Sequence, residues 1–272
     1  MLQSPLFAPL HPVLAELDAD AFPTLHDCNE LLAARQLPIV VQRGLPLRFV
    51  RQECGKLPFE AQYEPRCYLK GEVPTRARNW HDLLNALVWL TFPSTKVAIN
   101  ARHYHALIDA KPGKSAADGA ASRSERGAVR DANTLFDESG VVVVCADAEL
   151  AGLLRDFEWQ ELFCRRREQV RAEMGFYIFG HGLYEKALHP YVGMTGQGLV
   201  LAVEQDFFAW PLSQRLAHVD SLLANYLAAP HHCRSTRDLA PVPLLGVPGW
   251  AADNDNAGYY ANTAYFRPGR RG

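Results

Sequence analysis

Hydrophobic residues recur along much of the chain at intervals of three and four, the spacing that places them on one face of an α-helix. Residues 80–91 and 211–230 follow this pattern most clearly, and proline stands at both ends of the second segment. The same spacing predicts further helices within the first 35 residues and at residues 96–110, 147–154, 159–170 and 181–188.

Short apolar runs rich in β-branched residues lie between these helices and predict strands at 39–42, 47–50, 175–180 and 198–204. Residues 134–144, TLFDESGVVVV, hold two apolar runs around Glu-Ser-Gly and predict a β-hairpin. Residues 59–69 contain Pro65 and are expected to be extended or irregular. Without a regular alternation of strand and helix, the chain fits a helix-rich α+β fold better than a doubly wound parallel sheet.

Two segments are expected to lack regular structure. Residues 111–127 are small, polar and rich in glycine, serine and alanine, which predicts a flexible insert. The last 40 residues are rich in proline and asparagine and are expected to form a long irregular wrap. We therefore expect residues 1–272 to form a single α+β domain with a few short strands.

Composition excludes several classes of protein. The formal net charge of −2 gives no overall attraction to nucleic acid or acidic membranes. The longest apolar stretch, residues 83–92, is about half the length of a membrane span. None of the six cysteines forms a Cys-x-x-Cys pair, so a zinc ribbon is not expected and the thiols are predicted to be reduced. These features predict a soluble, cytoplasmic protein.

Common catalytic signatures are absent. The Gly-Lys-Ser at 113–115 lacks the earlier glycine of a phosphate-binding loop, because Ile108 stands there. Neither a Gly-x-Ser-x-Gly nor a His-Glu-x-x-His motif occurs. Any site must be inferred from scattered polar residues.

The segment NWHDLLNALVWL, residues 79–90, places polar groups on a helix that is otherwise apolar. Asn79 is a predicted N-cap, and Asp82 is positioned to reach back to the cap. His81 and Asn85 are four residues apart and share a face. Buried side chains of this kind need partners, so they form either a structural hydrogen-bond network or the wall of a pocket.

Two further segments carry candidate chemistry. In FGHGLYEKAL, His181 and Glu185 are four apart and can present an imidazole and a carboxylate to one metal ion or one proton-transfer step. In VRDANTLFDESG, Asp137 and Glu138 either belong to an ordinary turn or point carboxylates into a site.

The chain resembles a bacterial family known as domain of unknown function 3025. The motifs that carry the resemblance are VPTR-x-R-NWHDLLNALVWL-x-FP-x-TK, RDA-x-TLFDESG, FGHGLYEK-x-L-x-PY-x-G-x-TG and a late LLGVPGW followed by FRP. It extends from about residue 60 to the C-terminus. The resemblance implies no activity and no catalytic residues, so the site rests on side-chain chemistry.

These candidates combine into one functional hypothesis, an enzyme with a single polar pocket. Proton transfer is assigned to His81, His181, Glu185 and Asp137, and a possible divalent metal to His81, His181, Glu185 and Glu138. An unidentified small anionic ligand is assigned to Arg76, Arg130 and Asn85. The most concrete form is a metal-dependent hydrolase of a phosphoester-like substrate.

The alternative is a non-catalytic binding or scaffolding protein in which the same residues form a structural network. The pocket hypothesis predicts that the His81 and His181 rings lie within about 8 Å of each other, so that one ion or ligand can bridge them. In the alternative, these rings are dispersed or separated by packed aliphatic side chains.

Overall fold

The computed structural model describes residues 2–109 and 120–269. Within them the fold is helix-rich α+β, as predicted. The α-helices are α1 (His11–Leu14), α2 (Leu25–Ala33), α3 (Tyr63–Lys70), α4 (Trp80–Thr91), α5 (Pro93–Asp109), α6 (Ala120–Ser139), α7 (Ala148–Arg155), α8 (Arg167–Glu173), α9 (His181–Ala187) and α10 (Leu212–Ala228). The strands are β1 (Arg48–Arg51), β2 (Glu72–Thr75), β3 (Gly140–Cys145), β4 (Met174–Ile178), β5 (Thr195–Ala202) and β6 (Ala240–Pro243).

The larger sheet has the order β4-β3-β5-β6, with β3 in its interior. Strand β3 runs antiparallel to β4 and parallel to β5, and β5 runs antiparallel to β6. Every residue of β3 is buried, as expected for the unbroken apolar run GVVVVC, which needs cover on both faces of the sheet. A smaller sheet pairs β1 with β2 in parallel.

The helices supply that cover through their apolar faces. In α10, Leu216, Val219 and Leu223 are buried at helical spacing, which confirms the predicted amphipathic helix. Helix α5 packs between α10 and α6. Helix α4 contributes an almost wholly buried stretch, residues 82–90, to the core.

The predicted hairpin at 134–144 is wrong. Residues 134–139 end helix α6, and only residues from Gly140 onward are a strand. Ala132, Asn133 and Phe136 are all buried within α6, and their helical spacing places this face of the helix against the core. The Glu-Ser-Gly sequence therefore ends a helix, and the strand beside β3 comes from a distant part of the chain.

Two further local predictions were wrong. Residues 59–69 were expected to be irregular, but α3 begins at Tyr63 and Pro65 lies in its first turn, where its missing N–H has no helical partner to lose. Residues 39–42 form only an isolated bridge between Val40 and Pro46. The neighbouring strand prediction at 47–50 matches β1 within one residue.

The segments expected to lack regular structure differ from one another. Within the predicted insert 111–127, residues 111–119 lie outside the described part of the chain and 120–127 belong to α6. Between β6 and residue 269, where the described part of the chain ends, the regular structure is limited to short 3₁₀ turns, as predicted for the C-terminal wrap. That wrap is anchored by buried tyrosines: the Tyr260 hydroxyl donates to the Gly246 carbonyl at 2.8 Å and the Tyr265 hydroxyl to the Met194 carbonyl at 2.7 Å.

All six cysteines are free thiols, and Cys54 is exposed. Among the residues described, no helix combines the length and apolar character needed to cross a membrane.

The burial of α4 gives a stability prediction. Leu87 is 1% exposed, so Leu87→Ala should lower the free energy of unfolding by about 2–5 kcal/mol through lost burial and the cavity left behind. Leu37 is 79% exposed, and the matched change Leu37→Ala should cost less than about 0.5 kcal/mol. Urea denaturation of both variants measures this, and equal losses would show that α4 is not part of the core.

Candidate metal centre

The register of the large sheet brings two distant segments together. Val141 at the start of β3 pairs with Ile178 at the end of β4. Residues just before β3 and just after β4 therefore meet at one edge of the sheet. This places Asp137 and Glu138, at the end of α6, beside His181, the first residue of α9.

Two glycines allow the close approach of these segments. A β-carbon on Gly182 would overlap the Glu138 carboxylate, and one on Gly180 would lie 2.5 Å from the Ser139 backbone nitrogen. The sequence Gly-His-Gly thus lets the first turn of α9 press against the end of α6 with His181 between the two glycines.

Helix α4 brings the second histidine. Its N-cap is Asn79, whose side-chain oxygen accepts from the Asp82 backbone N–H at 3.0 Å. The sequence predicted that the Asp82 carboxylate reaches back to the cap, and this prediction is wrong. The carboxylate accepts from Arg76 instead, at 2.9 Å from Nε and 2.7 Å from Nη2, and this pair fixes the chain entering the helix. His81 is the second residue of α4, so the same contacts position its side chain.

His81, His181 and Glu138 form a three-residue cluster. The Nε2 atoms of His81 and His181 are 3.1 Å apart, and His181 Nε2 is 3.5 Å from Glu138 Oε1. One nitrogen or oxygen from each residue lies within 4.8 Å of the other two. The ring centroids are 4.5 Å apart, which confirms the prediction that the two rings are neighbours.

Two of these spacings are close to the separation between ligands of one metal ion. Ligands bound to a tetrahedral ion at 2.0–2.1 Å are separated from one another by about 3.3 Å. The observed separations of 3.1 and 3.5 Å bracket that value. Two imidazoles and one carboxylate are also a ligand set known for catalytic zinc.

Each imidazole has a carboxylate behind it. His81 Nδ1 is 2.9 Å from Glu185 Oε2, and His181 Nδ1 is 3.7 Å from Asp137 Oδ2. Partners of this kind orient metal-binding histidines and select the tautomer in which the facing nitrogen is free. The distance at His81 is that of a hydrogen bond, whereas His181 Nδ1 has no hydrogen-bond partner among the described residues and meets Asp137 only as a nearby charge. Lys96 in turn donates to Asp137 Oδ1 at 2.7 Å, and both side chains are buried.

The surroundings set the charge of each group. Burial lowers the pKa of His181 to about 4 against the attraction of Asp137, so its imidazole is neutral near pH 7. Burial alone would raise the pKa of Asp137, but Lys96 and His181 outweigh burial and lower it. Burial raises the pKa of Glu138, an effect that a bound cation would oppose.

The cluster lies in a cleft of about 220 Å³, lined also by Arg76, Asn85, Tyr63 and Glu64. The Asn85 amide donates to the Tyr63 hydroxyl at 2.7 Å, while its oxygen is buried without a hydrogen-bond partner. Glu64 accepts from Asn100 Nδ2 at 2.5 Å, and burial raises the pKa of its carboxyl group. The cleft therefore combines the His81, His181 and Glu138 cluster with an amide oxygen, that of Asn85, which is free to accept a hydrogen bond from a ligand.

The structure distributes the eight candidate residues unevenly. Six of them line the cleft: Arg76, His81, Asn85, Asp137, Glu138 and His181. Glu185 lies beside it in contact with His81, and Asn85 also contacts Tyr63. Arg130 does not line the cleft; its guanidinium is half exposed and lies 3.6 Å from Asp131. The inference that Arg130 binds a ligand in the pocket therefore has no geometric support.

Lys96 and Glu64 were missed by the sequence analysis. Lys96, Asn100 and His103 are buried at intervals of four and three along α5, and that polar stripe was a usable signal. Glu64 carried no such signal, because the segment around Pro65 was not recognised as a helix.

The fold and cluster define a helix-rich α+β protein with a preformed His/His/Glu centre. The chain belongs to the family described as "Protein of unknown function (DUF3025)", whose model matches residues 47–270. No curated protein and no solved structure matches the chain.

The depressed pKa of His181 predicts a pH-dependent stability. Between its ordinary value of 6.5 and about 4, the unfolded chain takes up a proton here that the folded protein does not. The free energy of unfolding should therefore fall as pH decreases through this window. In His181→Gln this contribution is absent, so the loss should be smaller by up to about 1.4 kcal/mol per pH unit.

Urea denaturation of both proteins between about pH 7 and pH 5, with a chelator present, measures the difference. The difference between the two proteins reports the titration of His181 together with its effect on the neighbouring Asp137, whose pKa it lowers. Curves that stay parallel would contradict a buried neutral imidazole.

Proposed function

We propose that the chain is a divalent-metal-dependent hydrolase whose ion is held by His81, His181 and Glu138. The observation that carries the proposal is the mutual spacing of three donor atoms, all within 4.8 Å. Three protein ligands leave a coordination position for water or substrate, the arrangement of catalytic rather than structural sites. A divalent ion there would lower the pKa of bound water and supply a nucleophile.

The residues around the cluster have distinct roles in this proposal. Glu185 and Asp137 hold the two imidazoles in position rather than binding the ion. Glu64, on the wall of the cleft with a raised pKa, is the candidate for proton transfer. Arg76 is the cation best placed to contact an anionic group, since half of its side chain is exposed at the cleft.

The charge balance favours a cation in the cleft. Asp82 is paired with Arg76, and Asp137 with Lys96. Among the described residues, neither Glu138 nor Glu64 has a lysine or arginine partner, Glu138 faces the neutral His181 at 3.5 Å, and burial raises the pKa of both carboxyl groups. A divalent ion would offset these two carboxylates and make the cleft attractive to a phosphoester-like anion. The free thiols support the cytoplasmic location predicted from sequence.

A second candidate function is the non-catalytic network. It is favoured by the hydrogen-bond distances His81–Glu185 at 2.9 Å and His81–His181 at 3.1 Å, which could satisfy the imidazoles without an ion. In that case His181→Ala would change only the stability, by roughly 1–3 kcal/mol. The two functions differ in whether an ion is bound.

We expect the purified protein to bind one equivalent of Zn²⁺ or Co²⁺. His81→Ala, His181→Ala and Glu138→Gln should abolish this binding, because each removes one of three ligands. Glu185→Gln should weaken it by about 10- to 100-fold, as for other groups that orient a ligand. Isothermal titration and the absorption spectrum of bound Co²⁺ measure the effect, and circular dichroism checks the apo fold.

His189→Ala is the matched control, because His189 is an exposed histidine just beyond the end of α9. It should bind the ion as the unaltered protein does. Metal binding that survives in both His81→Ala and His181→Ala would refute the proposed centre.

We expect the metal-loaded protein to hydrolyse p-nitrophenyl phosphate slowly. Glu64→Gln should reduce kcat by about 100-fold or more while Co²⁺ binding is kept, because it removes proton transfer and not a ligand. The control is Glu60→Gln, an exposed glutamate one turn earlier in the chain. Equal rates in the two variants would exclude Glu64 from the reaction.

A further inference from the structure

Three cavities follow one another along the seam between the N-terminal segment and α4. The metal cleft touches a second cavity of about 430 Å³ at Arg76, which lines both. The second cavity shares Phe22, Pro23 and Leu83 with a third of about 820 Å³. Through these shared lining residues, three neighbouring cavities connect the candidate metal centre to the N-terminal segment.

The middle cavity is cationic. Arg76 and Arg78 line it together with His26, and no aspartate or glutamate does. Arg76 already holds Asp82, and His26 lies 3.2 Å from Glu30. The exposed Arg78 makes no ion pair within the described chain. A guanidinium free to form two parallel hydrogen bonds is suited to a phosphate or carboxylate group.

The outer cavity is apolar with an acidic rim. Leu14, Leu17 and Phe22 line it, and the rings of Phe22 and Trp80 meet edge to face at 5.0 Å. Trp80 is 40% exposed, one of the few large apolar side chains that reach solvent among the residues described. Asp18 and Asp20 stand at the same cavity and disfavour an anion there.

We infer that the substrate of the proposed hydrolase is an amphiphilic phosphate monoester. Its phosphate lies between Arg76, Arg78 and the metal, and its alkyl or acyl chain lies in the outer cavity against Leu17, Phe22 and Trp80. The arginines of the middle cavity and the aspartates at the outer one favour this orientation over the reverse. The cavity volume, about 820 Å³, is in the range of sites for small apolar ligands.

The reaction that follows is hydrolysis, which needs water alone as co-reactant. The oxygen of the water bonds to phosphorus, and the bond from phosphorus to the chain oxygen breaks. The leaving oxygen takes up the proton that the water loses, so the products are an alcohol and inorganic phosphate. The hydrolytic step rests on the proposed function, but binding of the ligand's alkyl chain in the outer cavity does not.

Binding of decyl phosphate, hexyl phosphate and inorganic phosphate tests the inference, with each alkyl phosphate kept below the concentration at which it aggregates. Four additional methylenes at about 0.8 kcal/mol each should make decyl phosphate bind on the order of 100-fold more tightly than hexyl phosphate. Inorganic phosphate should bind most weakly. Isothermal titration is run on chelator-treated and on Zn²⁺-loaded protein.

Two variants separate the head from the chain. Arg78→Gln should weaken decyl phosphate binding about tenfold, whereas the control Arg43→Gln, at an exposed arginine in a distant turn, should not. Ala15 is exposed and lines the outer cavity, so Ala15→Trp should fill it and reduce the advantage of decyl over hexyl phosphate at least tenfold. Ala34→Trp, at an exposed alanine outside these cavities, is its control.

Affinities that do not depend on chain length would overturn the inference, even if the metal is bound. Chain-length dependence that persists in Ala15→Trp would likewise overturn the assignment of the outer cavity. Failure of the metal proposal would look different, since the protein would bind no Zn²⁺ yet keep the preference for decyl phosphate. Binding of all three compounds with equally weak affinity would also refute the inference.

Discussion

Lys96 and Asp137 are both buried, and neither charge could remain there without the other. Their contact joins α5 to the end of α6 and fixes the Asp137 carboxylate behind the His181 ring. The ammonium lies 5.4 Å from the centre of the Trp89 ring, so α4 packs against the same pair. The position of the candidate site depends on this contact, because it holds the end of α6 against α5 beside the His181 ring.

Burial shifts the pKa values of the ionisable groups in the cleft toward their neutral forms. A histidine buried next to a lysine is kept neutral, which makes the imidazole a poor cation and a good metal ligand. The two glutamates of the cleft, Glu64 and Glu138, are pushed toward their neutral forms by the same burial. A divalent ion would relieve both effects, since it binds the neutral imidazole and favours ionised carboxylates.

Beyond the cleft, the charges are arranged along the seam of the N-terminal segment. Arginines line the cavity that adjoins the metal cleft, and both apolar rings and aspartates line the cavity beyond it. Helix α4 separates these functions by its faces: His81 and Asn85 face the metal cleft, while Trp80 and Leu83 line the outer cavity. One helix thereby serves the chemical and the apolar part of the proposed ligand site.

The sequence by itself determined the elements whose pattern is long and regular, such as α4, α10 and the helix that starts at His181. It also determined that His81 and His181 needed polar partners, because both stand in segments too apolar to leave them unpaired. Only the tertiary structure decided which partners these are. The pairing of β3 with β4 is non-local. Nothing within residues 134–144 could therefore show that Glu138 ends a helix beside His181 and does not lie in the turn of a hairpin. Lys96, Glu64 and Arg78 acquired their roles in the same way, because a side chain's partners depend on packing between segments that are far apart in the chain.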